Sequence, residues 1–172
     1  MKKLKVLMFV TMLTMMLAIP ATAHQVDVYE EGELVKSVVF KVGAKEYVVN
    51  DTERHPMDAA PFIYDGRTFV PVRFLGNALG VPDEQIEWNG TTSTATLTRG
   101  QYTIALTIGS KIALRNGVEY RMDVSPQLAE GRTQLPARFV AEGLGYNVTW
   151  CSERQIVIVF VGDTVRYCTR DY

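Results

Sequence analysis

One ten-residue phrase occurs twice in this 172-residue chain, and nothing else in the sequence limits the fold as tightly. Gly66-Arg67-Thr68-Phe69-Val70-Pro71-Val72-Arg73-Phe74-Leu75 returns 65 residues later as Gly131-Arg132-Thr133-Gln134-Leu135-Pro136-Ala137-Arg138-Phe139-Val140. The match continues through Leu79-Gly80 and Leu144-Gly145 to Trp88 and Trp150, with three extra residues ahead of Trp88. Upstream, Met57-Asp58 and Pro61 answer to Met122-Asp123 and Pro126. Gly43, Lys45 and Asn50 answer to Gly109, Lys111 and Asn116 after a one-residue slip. Self-similarity at such a period is the mark of a repeated supersecondary unit. The copies are expected at 37–99 and 100–161, with 24–36 as a leader or edge strand and 162–172 as a C-terminal tail.

The local chemistry of each unit follows from its patterning. Tyr102, Ile104, Leu106 and Ile108 alternate along 101–108, the period of a half-buried strand. The Thr-rich run 94–98 alternates too, as a strand with a wet face does. The β-branched run 155–161 reads as a strand covered on both sides. Asn116-Gly117 and Asn89-Gly90 predict tight hairpin turns, because Asn and Gly tolerate positive φ. A short helix is expected after each Gly-Arg-Thr strand. Pro71 and Pro136 suit its first position, and Gly80 and Gly145 its left-handed stop. Phe74, Leu75, Ala78 and Leu79 share one helical face, as do Phe139, Val140, Gly143 and Leu144. Helices this short are unstable alone and must lie on a sheet. The expected class is α+β: small antiparallel β-sheets, each packed on one short helix, in two tandem repeats. Units of about 65 residues bury marginal cores, so the copies should share strands or pack closely as one body.

The ends bear on compartment. Lys2, Lys3 and Lys5 precede an apolar stretch at 6–19, and Pro20 precedes Ala21-Thr22-Ala23. That arrangement predicts a secretory signal peptide over 1–23, leaving His24 first and no later membrane span. The formal net charge is −1; without the three lysines of 1–23 the rest carries 15 basic and 19 acidic residues, a net −4. Mild acidity argues against nucleic acid as a partner. An exported chain permits a disulfide between Cys151 and Cys168. A two-residue turn at Gly162-Asp163 would instead set Cys168 opposite Val157, roughly 20 Å from Cys151. The sequence leaves the bond open.

Gly-Arg-Thr-x-x-Pro-x-Arg-Phe, then Leu-Gly, then Trp, resembles the copper amine oxidase N-terminal domain-like repeat, or stalk domain, of secreted Gram-positive proteins. The resemblance covers about 39–160. It implies a small antiparallel sheet wrapped on a helix and used as a stalk or adaptor. It also implies that copper and redox-tyrosine chemistry belong to a separate catalytic domain.

The residues offer little catalytic chemistry. Copper oxidase sites need several imidazoles, and only His24 and His55 occur. A small copper-dependent enzyme using His24 and His55 is the alternative from another class; a hydrolase would also need His55 as its base, without a Gly-x-Ser-x-Gly elbow. Asp58 and Asp123 invite a paired-carboxylate reading, but equivalent repeat positions favour a structural role. Arg73 and Arg138, in first helical turns where a cation is disfavoured, are expected to pair with Asp58 and Asp123 of their own units. Trp88 and Trp150 are expected in the core, with Tyr29, Tyr64 and Tyr172 as surface candidates. No catalytic, cofactor or metal residue is assigned. The structural motif comprises Gly66, Arg67, Thr68, Pro71, Arg73, Phe74, Gly80, Trp88, Gly131, Arg132, Thr133, Pro136, Arg138, Phe139, Gly145 and Trp150. The expected function is a non-enzymatic stalk, adaptor or binding module, secreted or wall-associated. Its partner would be an unidentified wall polymer or envelope protein.

Overall fold

The computed structural model describes residues 36–162 and the strand residues 28–30, 33–34 and 164–165. The expected signal peptide at 1–23, His24, Cys168 and Tyr172 lie outside the described residues. In chain order the elements are β1 (Val28–Glu30), β2 (Glu33–Leu34), β3 (Ser37–Lys41), β4 (Glu46–Val49), β5 (Glu53–Pro56), β6 (Phe62–Tyr64), β7 (Arg67–Pro71) and α1 (Val72–Ala78). After a 3-10 turn at Asp83–Gln85 come β8 (Ile86–Asn89), β9 (Thr94–Arg99), β10 (Tyr102–Thr107), β11 (Ile112–Arg115), β12 (Val118–Arg121), β13 (Gln127–Ala129) and β14 (Arg132–Pro136). Then follow α2 (Ala137–Gly143), β15 (Asn147–Cys151), β16 (Ile156–Phe160) and β17 (Thr164–Val165). The fold is mostly β, with antiparallel sheets and two short helices.

The sheets do not follow the sequence halves. A meander sheet, β12-β11-β10-β9-β8, joins the last strands before residue 100 to the first strands after it. A closing sheet, β15-β16-β3-β4-β5, joins the last strands of the second half to the first strands of the first half. A third sheet of four strands, β13-β14-β7-β6, has β7 with β14 as its central pair. Its register is symmetric: Val70 faces Leu135, its own counterpart in the recurring phrase, and Phe69 and Pro71 face Pro136 and Gln134. A small sheet, β17-β1-β2, completes the topology.

The crossing is enforced locally. Arg99 pairs with Tyr102 around a two-residue turn, Gly100-Gln101, so β9 and β10 are bound into one hairpin through six register pairs. A strand with a partner already fixed on one side by a tight turn has only its other edge left to offer. β9 therefore takes β8 on that edge and β10 takes β11. In the closing sheet the same logic places β16 between β15 and β3. With β15 and β3 on its two edges, β16 has no free edge to offer a further strand. The expected hairpin at Gly162-Asp163 does not form: Val157 faces Trp150 and Phe40. The geometric objection to a disulfide falls with it, and Cys151 is disulfide-bonded.

Alternation decides which side chains meet. Ala95, Leu97, Ile104, Leu106 and Ala113 of the meander sheet point inward, as do Val38, Phe40, Tyr47, Val157 and Val159 of the closing sheet. They meet Leu75, Leu79, Val140 and Leu144 from the helices, Phe69, Val70 and Leu135 from the central strands, and all join one core. Each fully buried Leu, Ile or Phe adds about 1.5–3 kcal/mol of apolar burial. Because both halves contribute side chains to this one cluster, neither half has a core of its own.

The helices begin one residue later than expected. Pro71 and Pro136 are the N-caps and still end their strands, with φ −58° and −68°. Both helices stop as expected, at Gly80 (φ +78°) and Gly145 (φ +85°). There the amides of Val81 and Tyr146 reach back to the carbonyls of Gly76 and Ala141, each at 2.9 Å. A left-handed residue at that point lets the chain reverse while satisfying helix-end carbonyls. Close approach, rather than backbone freedom, accounts for Gly143: a Cβ there would lie 2.4 Å from Ile104 Cδ1.

The turns are mostly as their residues demand. Asn116-Gly117 has φ +51° and +80°, and Arg115 faces Val118. Asn89-Gly90 does not make the expected two-residue turn. Asn89 faces Thr94 across a four-residue loop, and its Oδ1 accepts hydrogen bonds from the amides of Thr91 (3.0 Å) and Thr92 (3.2 Å). The Asn side chain thus stabilises a wider loop by mimicking a backbone acceptor.

Candidate binding clefts

The recurring motif builds two clefts, and each is lined from both sequence halves. The first, about 460 Å³, is lined by Gly131, Arg132 and Thr133 from the second half and by Asp58, Pro71, Val72, Arg73, Phe74 and Trp88 from the first. The second, about 360 Å³, is lined by Gly66, Arg67 and Thr68 from the first half and by Pro136, Ala137, Arg138 and Trp150 from the second. The symmetric β7–β14 pairing causes this exchange, because it points each Gly-Arg-Thr strand toward the other half's helix. The two Gly-Arg-Thr stretches do not converge on one cleft.

The acids pair differently from expectation. Arg67 Nε donates to Asp123 Oδ1 at 3.2 Å, and Arg67 Nη2 forms a second, shorter contact to Asp123 Oδ2. Arg132 Nη2 binds Asp58 Oδ2 in the mirrored arrangement. Asp58 and Asp123 are therefore partners of Arg132 and Arg67, not of Arg73 and Arg138, and the pairs run between halves. Arg138 instead meets Glu142 one turn on, at 3.4 Å, and Arg73 is exposed with no ion pair among the described residues. A contact one helical turn away is nearer to Arg138 than any strand acid. The hydrogen bond to Arg67, helped by its charge, holds the Asp123 carboxyl below the ordinary carboxylate range, and the same bond raises the Arg67 guanidinium.

The tryptophans divide. Trp150 is half-buried and packs against the core, but Trp88 is 49% exposed on the rim of its cleft, on the edge strand β8. The expectation of a core Trp88 is therefore corrected. An edge strand has one neighbour only, and β8 leaves the indole beside open solvent. Leu128, 66% exposed, faces the same cleft from the edge strand β13. Tyr64 is exposed, as expected.

The remaining motif side chains hold the frame. Phe74 is partly buried and Phe139 buried against the core. Asn50 and Asn116 clamp the first strand of their halves: their Oδ1 atoms accept from the amides of Ser37 (3.2 Å) and Thr103 (2.8 Å). A further contact has no signal in the repeated phrase. The buried Tyr146 hydroxyl donates to the Leu79 carbonyl at 2.7 Å, tying one helix end to the other half. The Arg99 guanidinium lies 4.7 Å from the centre of the Tyr146 ring. Burial pushes the Tyr146 hydroxyl's pKa up, against the opposing pull of Arg99.

The donor set for a copper centre is not assembled among the described residues. The His55 ring stacks on Tyr47 at 4.9 Å and its Nε2 lies 3.8 Å from a Glu53 oxygen. No three His, Cys, Asp or Glu side chains of the described residues stand close enough to share an ion. No described helix is long and apolar enough to cross a membrane. A family model described as copper amine oxidase N-terminal domain matches the chain over two overlapping segments, 25–82 and 48–159. No curated protein and no solved structure matches it.

Proposed function

We propose, because this chain belongs to the family of copper amine oxidase N-terminal domains, a non-catalytic domain family, that it acts without turnover as a binding or stalk module of the cell envelope. The 1–23 segment exports it from a Gram-positive cell, and a wall polymer or envelope protein is its partner. The halves 37–99 and 100–161 are two copies of one ancestral unit. Their matched order of strands and helix, and their matched Asn clamps and left-handed helix stops, support that descent.

One observation carries the reading: the open Trp88 cleft presents an aromatic face beside guanidinium, carboxylate and hydroxyl groups. Recognition sites place a few polar groups around an apolar surface, which is the composition found here. The Arg132–Asp58 contact fixes a wall of that cleft.

Fractionating the producing cell locates the protein, and incubating it with isolated walls tests the binding. Sedimentation with walls, saturable and competed by unlabelled protein, is the expected result. A protein that stays in the supernatant at every wall concentration contradicts the proposal. Stoichiometric copper lost on His24→Ala or His55→Ala would instead favour the enzyme.

A further inference from the structure

We infer that the Trp88 cleft is a glycan site, taking an uncharged pyranose chain with one sugar face stacked on the indole. The inference rests on the reading of the protein as an envelope binding module, and it supplies the ligand class.

Three observations select that chemistry. Trp88 is 49% exposed, and its indole N–H donates no hydrogen bond among the described residues, so about half of the side chain is open to a ligand and its N–H is unused. The contrast with half-buried Trp150 at the matching place in the other cleft shows that the frame does not require exposure. An aromatic face left open beside polar groups suits a ligand that is apolar on one side and polar at its rim.

The polar groups fit the rim of a sugar. Arg73 brings a planar guanidinium without an ion-pair partner among the described residues, and Thr133 brings a hydroxyl. Asp58 keeps an acceptor oxygen besides the one that Arg132 takes. Guanidinium forks and carboxylates bind adjacent hydroxyl pairs in two-point contacts.

Charge selects a neutral chain. Arg73 and Arg132 are balanced by Asp58 and Glu87 on the cleft wall. A polyanion would meet two carboxylates and a polycation two guanidinium groups, so an uncharged ligand is the one that leaves every wall charge unopposed by like charge.

The test uses the full chain carrying Trp150→Phe, which leaves Trp88 as its only tryptophan. The probe is the β-1,4-linked tetramer of N-acetylglucosamine, titrated while indole emission is followed, with glucose and mannose oligomers alongside. A saturable emission change with at least one of these neutral oligomers is expected. In the otherwise unaltered chain, calorimetry should show binding weakened roughly tenfold or more by Trp88→Ala. Arg73→Gln should weaken it several-fold, and Trp150→Phe should leave it unchanged. Trp88 and Arg73 are exposed, so circular dichroism should report both variants folded.

Four results overturn the inference: no saturable binding of any neutral oligomer at millimolar concentration, binding that survives Trp88→Ala, tighter binding of a galacturonate or glucosamine oligomer, or saturation by an extended peptide in place of the sugars. Wall retention separates the two readings. Retention without oligomer binding removes the glycan assignment alone, whereas absence of retention removes the envelope function.

Discussion

The two five-stranded sheets share a plan and differ in what their outer faces carry. On the meander sheet that face has Thr94, Thr96 and Thr98 beside Thr107, Ala105 and Thr103, all half-buried. The matching positions of the closing sheet are Ile156, Ile158 and Phe160 beside Lys41, Val39 and Ser37. There Ile158 and Ser37 are wholly buried, and Ile156 and Phe160 nearly so. Threonine hydroxyls on the open face meet one another, Thr94 and Thr107 at 2.7 Å and Thr98 and Thr103 at 3.4 Å. One backbone plan therefore supports either a wet face or a covered one. The side chains at alternate strand positions choose between them. The covered face belongs to the sheet whose β3 follows β2 and whose β16 precedes β17, and β17 pairs with β1.

The largest test of this contrast copies the open face onto the covered one. Ile158→Thr should destabilise the protein by about 2–4 kcal/mol in chemical denaturation, because it removes buried methyl volume and buries a hydroxyl. A cost within about 0.5 kcal/mol would mean that the closing sheet's outer face is not buried. Next comes the approach of α2 to the meander sheet. Gly143→Ala gains helix propensity but drives a methyl group into Ile104, for a net loss of about 1–2 kcal/mol. Stabilisation by this change would show that the helix sits farther from the sheet.

The crossed ion pairs should matter less. A double-mutant cycle on Arg67→Ala and Asp123→Ala should give a coupling of about 0.2–1 kcal/mol, since both side chains are partly exposed. Because Asp123 is held below its ordinary pKa, the pair's contribution is complete above the unfolded value and declines as pH falls through the folded one. Denaturation below about pH 4 should show that decline in the native chain and not in the Arg67→Ala variant. A coupling of zero at neutral pH would remove the pair from the account. Smallest of all, Thr96→Ile should change stability by no more than about 0.5 kcal/mol, because Thr96 and its neighbours on that face are only partly buried. A large loss there would erase the distinction between the sheets.

Much of the local structure was legible from residues alone. Alternation along 101–108 and the unbroken β-branched run at 155–161 announced one strand with a single buried face and one with two. Pro and Gly bracketed each helix to within a residue. Pairing between elements was not legible, because two matching stretches of sequence say which positions are alike and not whether they meet within a half or across halves. Asp58 and Asp123 show the limit: their role as arginine partners was anticipated, and the identity of the arginines was not. The Gly100-Gln101 turn held the missing signal, since a two-residue hairpin at the boundary binds a strand of one half to a strand of the other. The exposure of Trp88 is hidden in the sequence for a related reason. Its match to Trp150 suggested a shared environment, but the edge strand and flanking side chains set exposure separately in each cleft.

Reciprocal strand exchange should make the molecule open as one unit. Hydrogen exchange measured on the full chain carrying Ile158→Thr tests this directly, because the change lies in the closing sheet and the readout lies in the other. Amides of Ile104 and Leu106 in the meander sheet should lose protection by the same free energy as those of Val38 and Phe40. Full protection retained in the meander sheet, while the closing sheet exchanges freely, would contradict a single shared core.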